Sequence, residues 1–134
     1  MKELVLIGSS SEFALEFFNI FSNNNSYRIH RISSRQDSSA NLLVNSYIDD
    51  SKRICDYISN LKNPYIIFFN GYLKENRPSS NPNTEEIFNT FKINYKIPLL
   101  LTKEIGVNSL DAKFIYISTM ASVKYRNKNY IYGI

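Results

Sequence analysis

Short apolar runs alternate along this chain with segments whose apolar residues recur at helical spacing. The runs predict strands at residues 4–7, 27–32, within 41–48, at 65–69 and at 113–117. The helical spacing predicts helices over residues 13–22, 51–61 and about 85–105. In the first of these, Phe13, Phe17 and Phe21 form a wide apolar stripe. Strands that alternate with helices indicate a parallel sheet covered on both faces, with right-handed crossovers.

The composition is that of an ordinary globular protein and predicts one domain over residues 1–134. Apolar residues make up 43% of the chain and charged residues 21%, and no segment approaches the about 20 apolar residues of a membrane span. The start lacks the features of a signal peptide, so we expect a cytoplasmic location and no membrane partner. The net charge is +4, but the basic residues are scattered apart from Lys124, Arg126 and Lys128, which favours a solvated surface.

Cys55 and His30 are interpreted as structural residues. Cys55 has no second cysteine to pair with and shares a helical face with Ile54 and Ile58, which predicts a buried thiol. His30 lies within a predicted strand and has no acidic or cysteine neighbour at metal-ligand spacing. We therefore expect a histidine on the strand surface and predict no metal site.

A turn of small residues joins the first strand to the first helix. It reads Gly8, Ser9, Ser10 and Ser11, and the helix follows directly. The N-terminus of a helix offers N–H donors and the positive end of the helix dipole, which together attract a phosphate. The alternative is that Ser9 and Glu12 form a capping box, which stabilises a helix start without a ligand.

Hydroxyl side chains follow the last strand. Ser118 and Thr119 come directly after it, and Tyr132 lies 13 positions beyond Thr119. This arrangement resembles the short-chain dehydrogenase/reductase family, in which the tyrosine opens a Y-x-x-x-K motif. The resemblance implies that Thr119, beside Ser118, polarises a substrate carbonyl and that Tyr132 is the general acid/base.

The lysine of that motif is missing here, because only Gly133 and Ile134 follow Tyr132. A phenol has a pKa near 10 and needs an adjacent cation to transfer protons efficiently around neutral pH. The chain looks like the cofactor-binding front portion of an oxidoreductase, truncated before its active site is complete, and we expect it to be inactive by itself.

The turn at residues 8–11, the phosphate turn, matches the family in part. Of the glycines in the family fingerprint G-x-x-x-G-x-G only Gly8 is retained, because Glu12 and Ala14 occupy the other two positions. The sequence is more similar to the variant G-x-x-S-[DE]-I-G. The resemblance implies that the cofactor-binding residues of this turn are Gly8, Ser9, Ser10, Ser11, Glu12 and Phe13. The Glu12 carboxylate should then point away from the pyrophosphate.

Two further positions match the nucleotide end of the family site. Arg35 follows the second strand, where a dinucleotide fold places the adenosine ribose, and a guanidinium suits a 2′-phosphate. This favours NADP over NAD as the cofactor, and the alternative is a loop arginine facing solvent. Asp49 matches the family aspartate near the adenine, or else it helps Asp50 and Ser51 start the next helix.

The remaining matches lie after the fourth strand and in the long helix. The family reads N-N-A-G where this chain has Asn70 and Gly71 preceded by two phenylalanines, so we expect close backbone approach to the cofactor at Gly71. Asn94 occupies the place of the asparagine in the catalytic tetrad. Pro98 cannot donate the N–H that would close a helical bond to the Asn94 carbonyl, which suits a role in holding water. The alternative is a tolerated proline kink.

Together these positions predict a Rossmann-like α/β domain with three layers and a five-stranded parallel sheet ordered 3-2-1-4-5. The implied reaction is hydride transfer between NADP(H) and a small carbonyl or secondary alcohol. We also expect self-association through the edge of the last strand. Two alternatives remain, a non-catalytic dinucleotide-binding or regulatory domain, and a less favoured nucleic-acid binder that uses the basic, tyrosine-rich residues 124–132.

Overall fold

The computed structural model describes residues 1–36, 39–70 and 84–117 as one five-stranded parallel sheet with helices on both faces. The strands are β1 (Lys2–Ile7), β2 (Tyr27–Ser33), β3 (Leu42–Leu43), β4 (Tyr65–Phe68) and β5 (Lys113–Tyr116). The helices are α1 (Glu12–Phe21), α2 (Ser51–Ser59), α3 (Thr84–Phe91) and α4 (Ile97–Asn108). The strand order β3-β2-β1-β4-β5 confirms the predicted Rossmann-like topology. Within the described ranges, no helix is long and apolar enough to span a bilayer.

The main core lies between the sheet and the pair α2 and α4. Val5 and Ile7 of the central strand β1 point into it and are fully buried. From the helices it receives Ile54, Cys55, Ile58, Ile97, Leu101 and Ile105. Strands that are covered on both faces need apolar side chains at successive positions, which explains why the strands read as continuous apolar runs.

The opposite face of the sheet is covered less completely in the described part of the chain. Its buried cluster consists of Leu6, Ala14, Ile67 and Phe69. The phenylalanine stripe of α1 is therefore only partly used, and the Phe13 side chain is 64% exposed. An apolar groove of about 270 Å³ runs from this stripe to β5. The physical reason is that the crossovers after β3 and β4 place α2 and α4 on the other face.

The predicted helix over 85–105 is not one continuous α-helix. Between α3 and α4 the chain makes a π-helical turn, Lys92–Lys96, in which the Ile97 N–H donates to the Lys92 carbonyl. Pro98 lies at the start of α4, where a missing N–H is tolerated best. The interruption thus falls one turn before the proline that was expected to distort this helix.

His30 is buried, so the prediction of a surface histidine was wrong. Its Nε2 lies 2.6 Å from Glu3 Oε2 on β1, and its Nδ1 lies 2.7 Å from the Tyr57 hydroxyl on α2. Burial and the Glu3 carboxylate raise the pKa of Tyr57. These partners are close because β1 pairs with β2 and α2 shares one core cluster with both strands.

Cys55 is buried, as the helical spacing predicted. Burial, together with the carboxylates of Glu104 and Asp56, raises the pKa of its thiol to about 11. The thiol is therefore protonated around neutral pH, which suits a packing role in the core and not a nucleophile.

The outer edge of β5 is a candidate site of self-association. β5 pairs with β4 on one side, and no strand of the described residues pairs with its other side. Ile115, Tyr116 and Ile117 are each between 41% and 52% exposed there. An apolar strand edge with unpaired backbone groups is a template for another strand. We propose that β5 pairs with β5 of a second copy.

Light scattering across a concentration series tests this pairing. We expect dimers or larger species for the wild type and a shift to monomer for Ile115→Lys, because a lysine at a strand edge opposes pairing. Ile20→Lys is the matched control, since Ile20 is 63% exposed on α1 and does not line the groove. A wild-type protein that stays monomeric at high concentration contradicts the proposal.

Candidate dinucleotide-binding site

A cavity of about 330 Å³ lies at the carboxyl ends of β1, β2 and β4. Its described lining consists of Gly8, Ser10, Ser11, Ser34, Arg35, Asn45, Ser46, Tyr47, Phe69, Asn70, Asn89, Lys92, Ile93 and Ile97. From β1 the chain moves outward to β2 and β3 on one side, and then crosses back to β4 and β5 on the other side. The strand order therefore reverses between β1 and β4. In open α/β sheets this crevice is the usual ligand site.

The turn after β1 is built for close approach of two backbone segments. Gly8 has φ +83°, and a Cβ there would lie 2.8 Å from the Asn70 nitrogen. The N–H groups of Gly8 and Ser9 both donate to the Ile32 carbonyl at 3.1 Å, which fixes the turn against β2. The turn therefore holds the ends of β1, β2 and β4 together under the cavity.

The helix that follows the turn is capped by Ser11. The Ser11 hydroxyl accepts from the Ala14 N–H at 3.2 Å, and α1 begins at Glu12. The capping box with Ser9 as its first residue is therefore wrong, since Ser9 is fully buried below the turn. The N-terminus of α1 faces the cavity through Ser10 and Ser11.

The residues after β2 hold Arg35 at the cavity rim. The Ser33 hydroxyl accepts from the Arg35 N–H at 3.1 Å and donates to the Arg35 carbonyl at 3.2 Å. The Ser34 N–H donates to the Tyr47 hydroxyl at 3.2 Å. These bonds fix the backbone of Arg35, and its exposed side chain remains available to contact a ligand.

The electrostatics of the cavity favour an anion. Among the described residues that line it, Arg35 and Lys92 are cationic and none is acidic. The positive end of the α1 dipole adds to this potential. Asn70 supplies a buried Oδ1 that has no hydrogen-bond partner in the described structure. Such an acceptor, buried at the cavity, fits a ligand hydroxyl or amide donor.

The loop after β3 is organised by Asp50 and not by Asp49. The Asp50 carboxylate accepts the N–H groups of Asn45 at 2.7 Å and Ser46 at 3.2 Å, and these bonds lower its pKa. Asp49 is exposed and does not line the cavity. Tyr47 forms part of the wall instead, and burial raises the pKa of its phenol, which stays neutral.

The structure brings together some of the predicted site residues and separates others. Gly8, Ser10, Ser11, Arg35 and Asn70 line the cavity, and Ser9 lies buried beneath it. Glu12, Phe13, Asp49 and Asn94 do not line it, although Asn94 lies half-buried in the π-helical turn nearby. Gly71, Ser118, Thr119 and Tyr132 lie outside the described residues. The roles given to all these residues stay predictions.

Sequence reasoning missed the wall contributed by the long helix. Asn89, Lys92 and Ile93 line the cavity and are spaced by three and four positions. This spacing places them on one helical face. A polar pair on the same face as an apolar residue is a signal that could have found them. In the described part of the chain, no group of three histidine, cysteine or acidic side chains could hold a metal ion.

Comparisons with known proteins agree with this architecture. No protein-family model matches the sequence, and no curated protein matches it. A short-chain dehydrogenase family protein from Francisella tularensis superposes with a TM-score of 0.79 at 16% identity, over 99% of this chain and 57% of that one. A protein from Beutenbergia cavernae, assigned as an NAD(P)-dependent gluconate 5-dehydrogenase and holding NADP, gives 0.78 at 10%, over 98% and 59%.

Serine dehydrogenase from Escherichia coli gives a TM-score of 0.77 at 14% identity, over 98% of this chain and 68% of that one. The chain therefore has the Rossmann-like fold found in short-chain dehydrogenase/reductase structures, as the sequence predicted. It spans 57% and 59% of the length of the Francisella and Beutenbergia proteins.

Proposed function

We propose that this chain binds NADP(H) in the cavity and is the cofactor-binding portion of an oxidoreductase of the short-chain dehydrogenase/reductase type. One observation carries the proposal. The turn before α1 and the cations Arg35 and Lys92 line a single cavity at the carboxyl ends of β1, β2 and β4, with no acidic side chain among its described lining. A cytoplasmic location remains part of the proposal on the sequence argument alone.

The described residues suit the parts of a dinucleotide. The pyrophosphate fits the N-terminus of α1 beside Ser10 and Ser11, where the dipole and nearby N–H groups favour negative charge. The Arg35 guanidinium would pair with a 2′-phosphate through its forked donors. Asn70 Oδ1 offers an acceptor to a ligand donor. The Beutenbergia structure, which holds NADP, supports this choice of cofactor.

The proposed reaction is the reduction of a small carbonyl compound or the oxidation of a secondary alcohol. When bound, the cofactor supplies or accepts the hydride. By resemblance, Thr119 and Ser118 hold the substrate oxygen, Tyr132 moves a proton at that oxygen, and the Asn94 carbonyl holds a water. A non-catalytic dinucleotide-binding domain would use the same cavity and differ only in lacking turnover.

Arg35→Ala tests the choice of cofactor. We expect it to weaken NADP binding by about 1.5–3 kcal/mol more than NAD binding, the range for hydrogen bonds to charged groups. The reason is that only NADP carries the 2′-phosphate that the guanidinium would contact. Titration calorimetry with both cofactors measures the difference.

Lys52→Ala is the matched control for this experiment. It also removes one positive charge, but Lys52 is exposed on α2 and does not line the cavity. Both cofactors should then bind as they do to the wild type. Equal losses for NADP and NAD in Arg35→Ala contradict the assignment of Arg35 to the 2′-phosphate.

A further inference from the structure

Arg31 is a buried cation next to the turn that begins the candidate site. It lies on β2, four residues before Arg35, and is 5% exposed. Its guanidinium stacks on the ring of Phe18 in α1, with the central carbon 4.7 Å from the ring centroid. Burying a guanidinium is costly unless its donors are paired, so its contacts indicate what holds it there.

The contacts of the Arg31 side chain join two separate parts of the site. Nη1 donates to the hydroxyl of Ser39 in the loop between β2 and β3. Nη2 lies 3.5 Å from the carbonyl oxygen of Ser9 in the phosphate turn. One side chain therefore connects the phosphate turn, the first helix and the loop that carries Arg35.

The backbone of Arg31 holds the same loop at its far end. The Arg31 N–H donates to Asn41 Oδ1 at 2.7 Å, and the Asn41 N–H donates to the Arg31 carbonyl at 2.8 Å. At the near end, Ser33 fixes the backbone of Arg35. Hydrogen bonds therefore hold the loop on both sides of Arg35. Those on the far side include the bond from the Arg31 guanidinium to the Ser39 hydroxyl.

We propose that Arg31 is a positioning residue that sets the geometry between the Arg35 loop and the phosphate turn, and so determines how well the site discriminates a nucleotide with a 2′-phosphate. This rests on the proposed function. A dinucleotide with a 2′-phosphate must contact both parts at once, because its pyrophosphate and its 2′-phosphate are separated by one ribose. Arg31 acts through Arg35 and the turn, since it is too buried to contact the ligand.

The test uses two small probes, 2′,5′-ADP and 5′-AMP, which differ by the 2′-phosphate. We expect Arg31→Met to weaken 2′,5′-ADP by about tenfold, the loss typical of one charge-assisted hydrogen bond. The change for 5′-AMP should be much smaller. A purely structural loss would weaken both probes equally, so the ratio of the two dissociation constants separates positioning from general destabilisation.

Three further variants sharpen the test. Arg28→Met removes the same charge from the same strand, but Arg28 pairs with Glu3 and its side chain is 60% exposed, so the probe ratio should stay at the wild-type value. Arg31→Lys keeps the charge but not the forked donors, so it should not restore the ratio. Ser39→Ala removes the hydroxyl that accepts from Arg31 Nη1, at an exposed residue, and remains informative if Arg31→Met fails to fold.

Hydrogen exchange without ligand gives a second readout that does not depend on the cofactor proposal. Arg31→Met, or Ser39→Ala where that variant alone folds, should speed exchange in peptides containing Ser9 and Asn41, compared with wild type and Arg28→Met. If the wild type binds neither probe, the proposed function fails and exchange alone decides on Arg31. Unchanged exchange in both peptides overturns the positioning role. A wild-type probe ratio in Arg31→Lys also overturns the positioning role, because charge alone would then explain the ratio.

Discussion

Replacing Gly8 by alanine is expected to lower the free energy of unfolding by about 2–4 kcal/mol, from the cost of a left-handed backbone and of overpacking together. The backbone at Gly8 has φ +83°, and the added Cβ would meet the Asn70 nitrogen at 2.8 Å and the Phe69 carbonyl carbon at 3.0 Å. These atoms belong to the backbone and cannot rotate away. Urea unfolding measures the loss, and titration with NADPH should show binding reduced beyond detection, because the turn forms the floor of the site.

Gly106→Ala is the matched control for this substitution. Gly106 lies within α4, and a Cβ there would have no atom within 4 Å outside its own helix. Alanine is favoured over glycine inside a helix by about 0.8–1 kcal/mol, so this variant should be at least as stable as the wild type. If Gly8→Ala unfolds at the wild-type urea concentration, the close approach of β1 and β4 at this turn is not as described.

Tyr132→Phe is expected to leave NADPH binding intact but to lower the rate of NADPH oxidation with a carbonyl substrate by several orders of magnitude. By resemblance, the Tyr132 phenol moves a proton at the substrate oxygen, and phenylalanine has no hydroxyl to do so. Absorbance of NADPH in the presence of a panel of small ketones and aldehydes measures the rate. Calorimetry on the same sample shows whether the cofactor is bound.

The comparison is made in a polypeptide that carries a lysine four positions after Tyr132, because that lysine is the cation of the family motif. We expect turnover in this polypeptide, and Tyr132→Phe within it should abolish the turnover. Tyr130→Phe removes the same hydroxyl two positions earlier and should leave the rate unchanged. An ordinary enzymic rate in Tyr132→Phe would show that the role given to Tyr132 is wrong. A longer chain that binds NADPH without any turnover would favour the non-catalytic alternative.

The parallel sheet could be predicted because burial on both faces produces apolar runs in the sequence, whereas its strand order followed from the resemblance to the short-chain dehydrogenase/reductase family. β1 and β4 must be apolar at consecutive positions, and Gly8 marks the point where the chain leaves β1 with a positive φ. The same logic located the turn and Arg35, since both follow strand ends. These residues depend on local sequence, and the parallel topology then brings them to one edge.

The parts that could not be predicted depend on contacts between distant segments. His30 is buried by Glu3 and Tyr57, each 27 positions away, so its neighbours in sequence gave the wrong answer. The exposure of Phe13 depends on how much of one sheet face is covered, which the spacing of α1 does not record. Lys92 reaches the cavity only through the local geometry of the long helix.

The π-helical turn between α3 and α4 also restricts insertions and deletions in this part of the chain. A π-helical turn holds about one residue more than the α-helical turn it replaces, and one residue corresponds to roughly a quarter of a helical revolution. The extra residue in Lys92–Lys96 sets the phase between α3 and α4. It allows Asn89 to face the cavity while Leu101 and Ile105 face the sheet.

A single-residue deletion in this segment would restore a continuous α-helix and turn one of these faces away from its target. Tyr95 and Lys96 are exposed and do not line the cavity, so substitutions at these two positions should be tolerated well. The number of residues in this segment should therefore vary less among homologous sequences than the identities at these two positions, and such sequences should align across it without gaps.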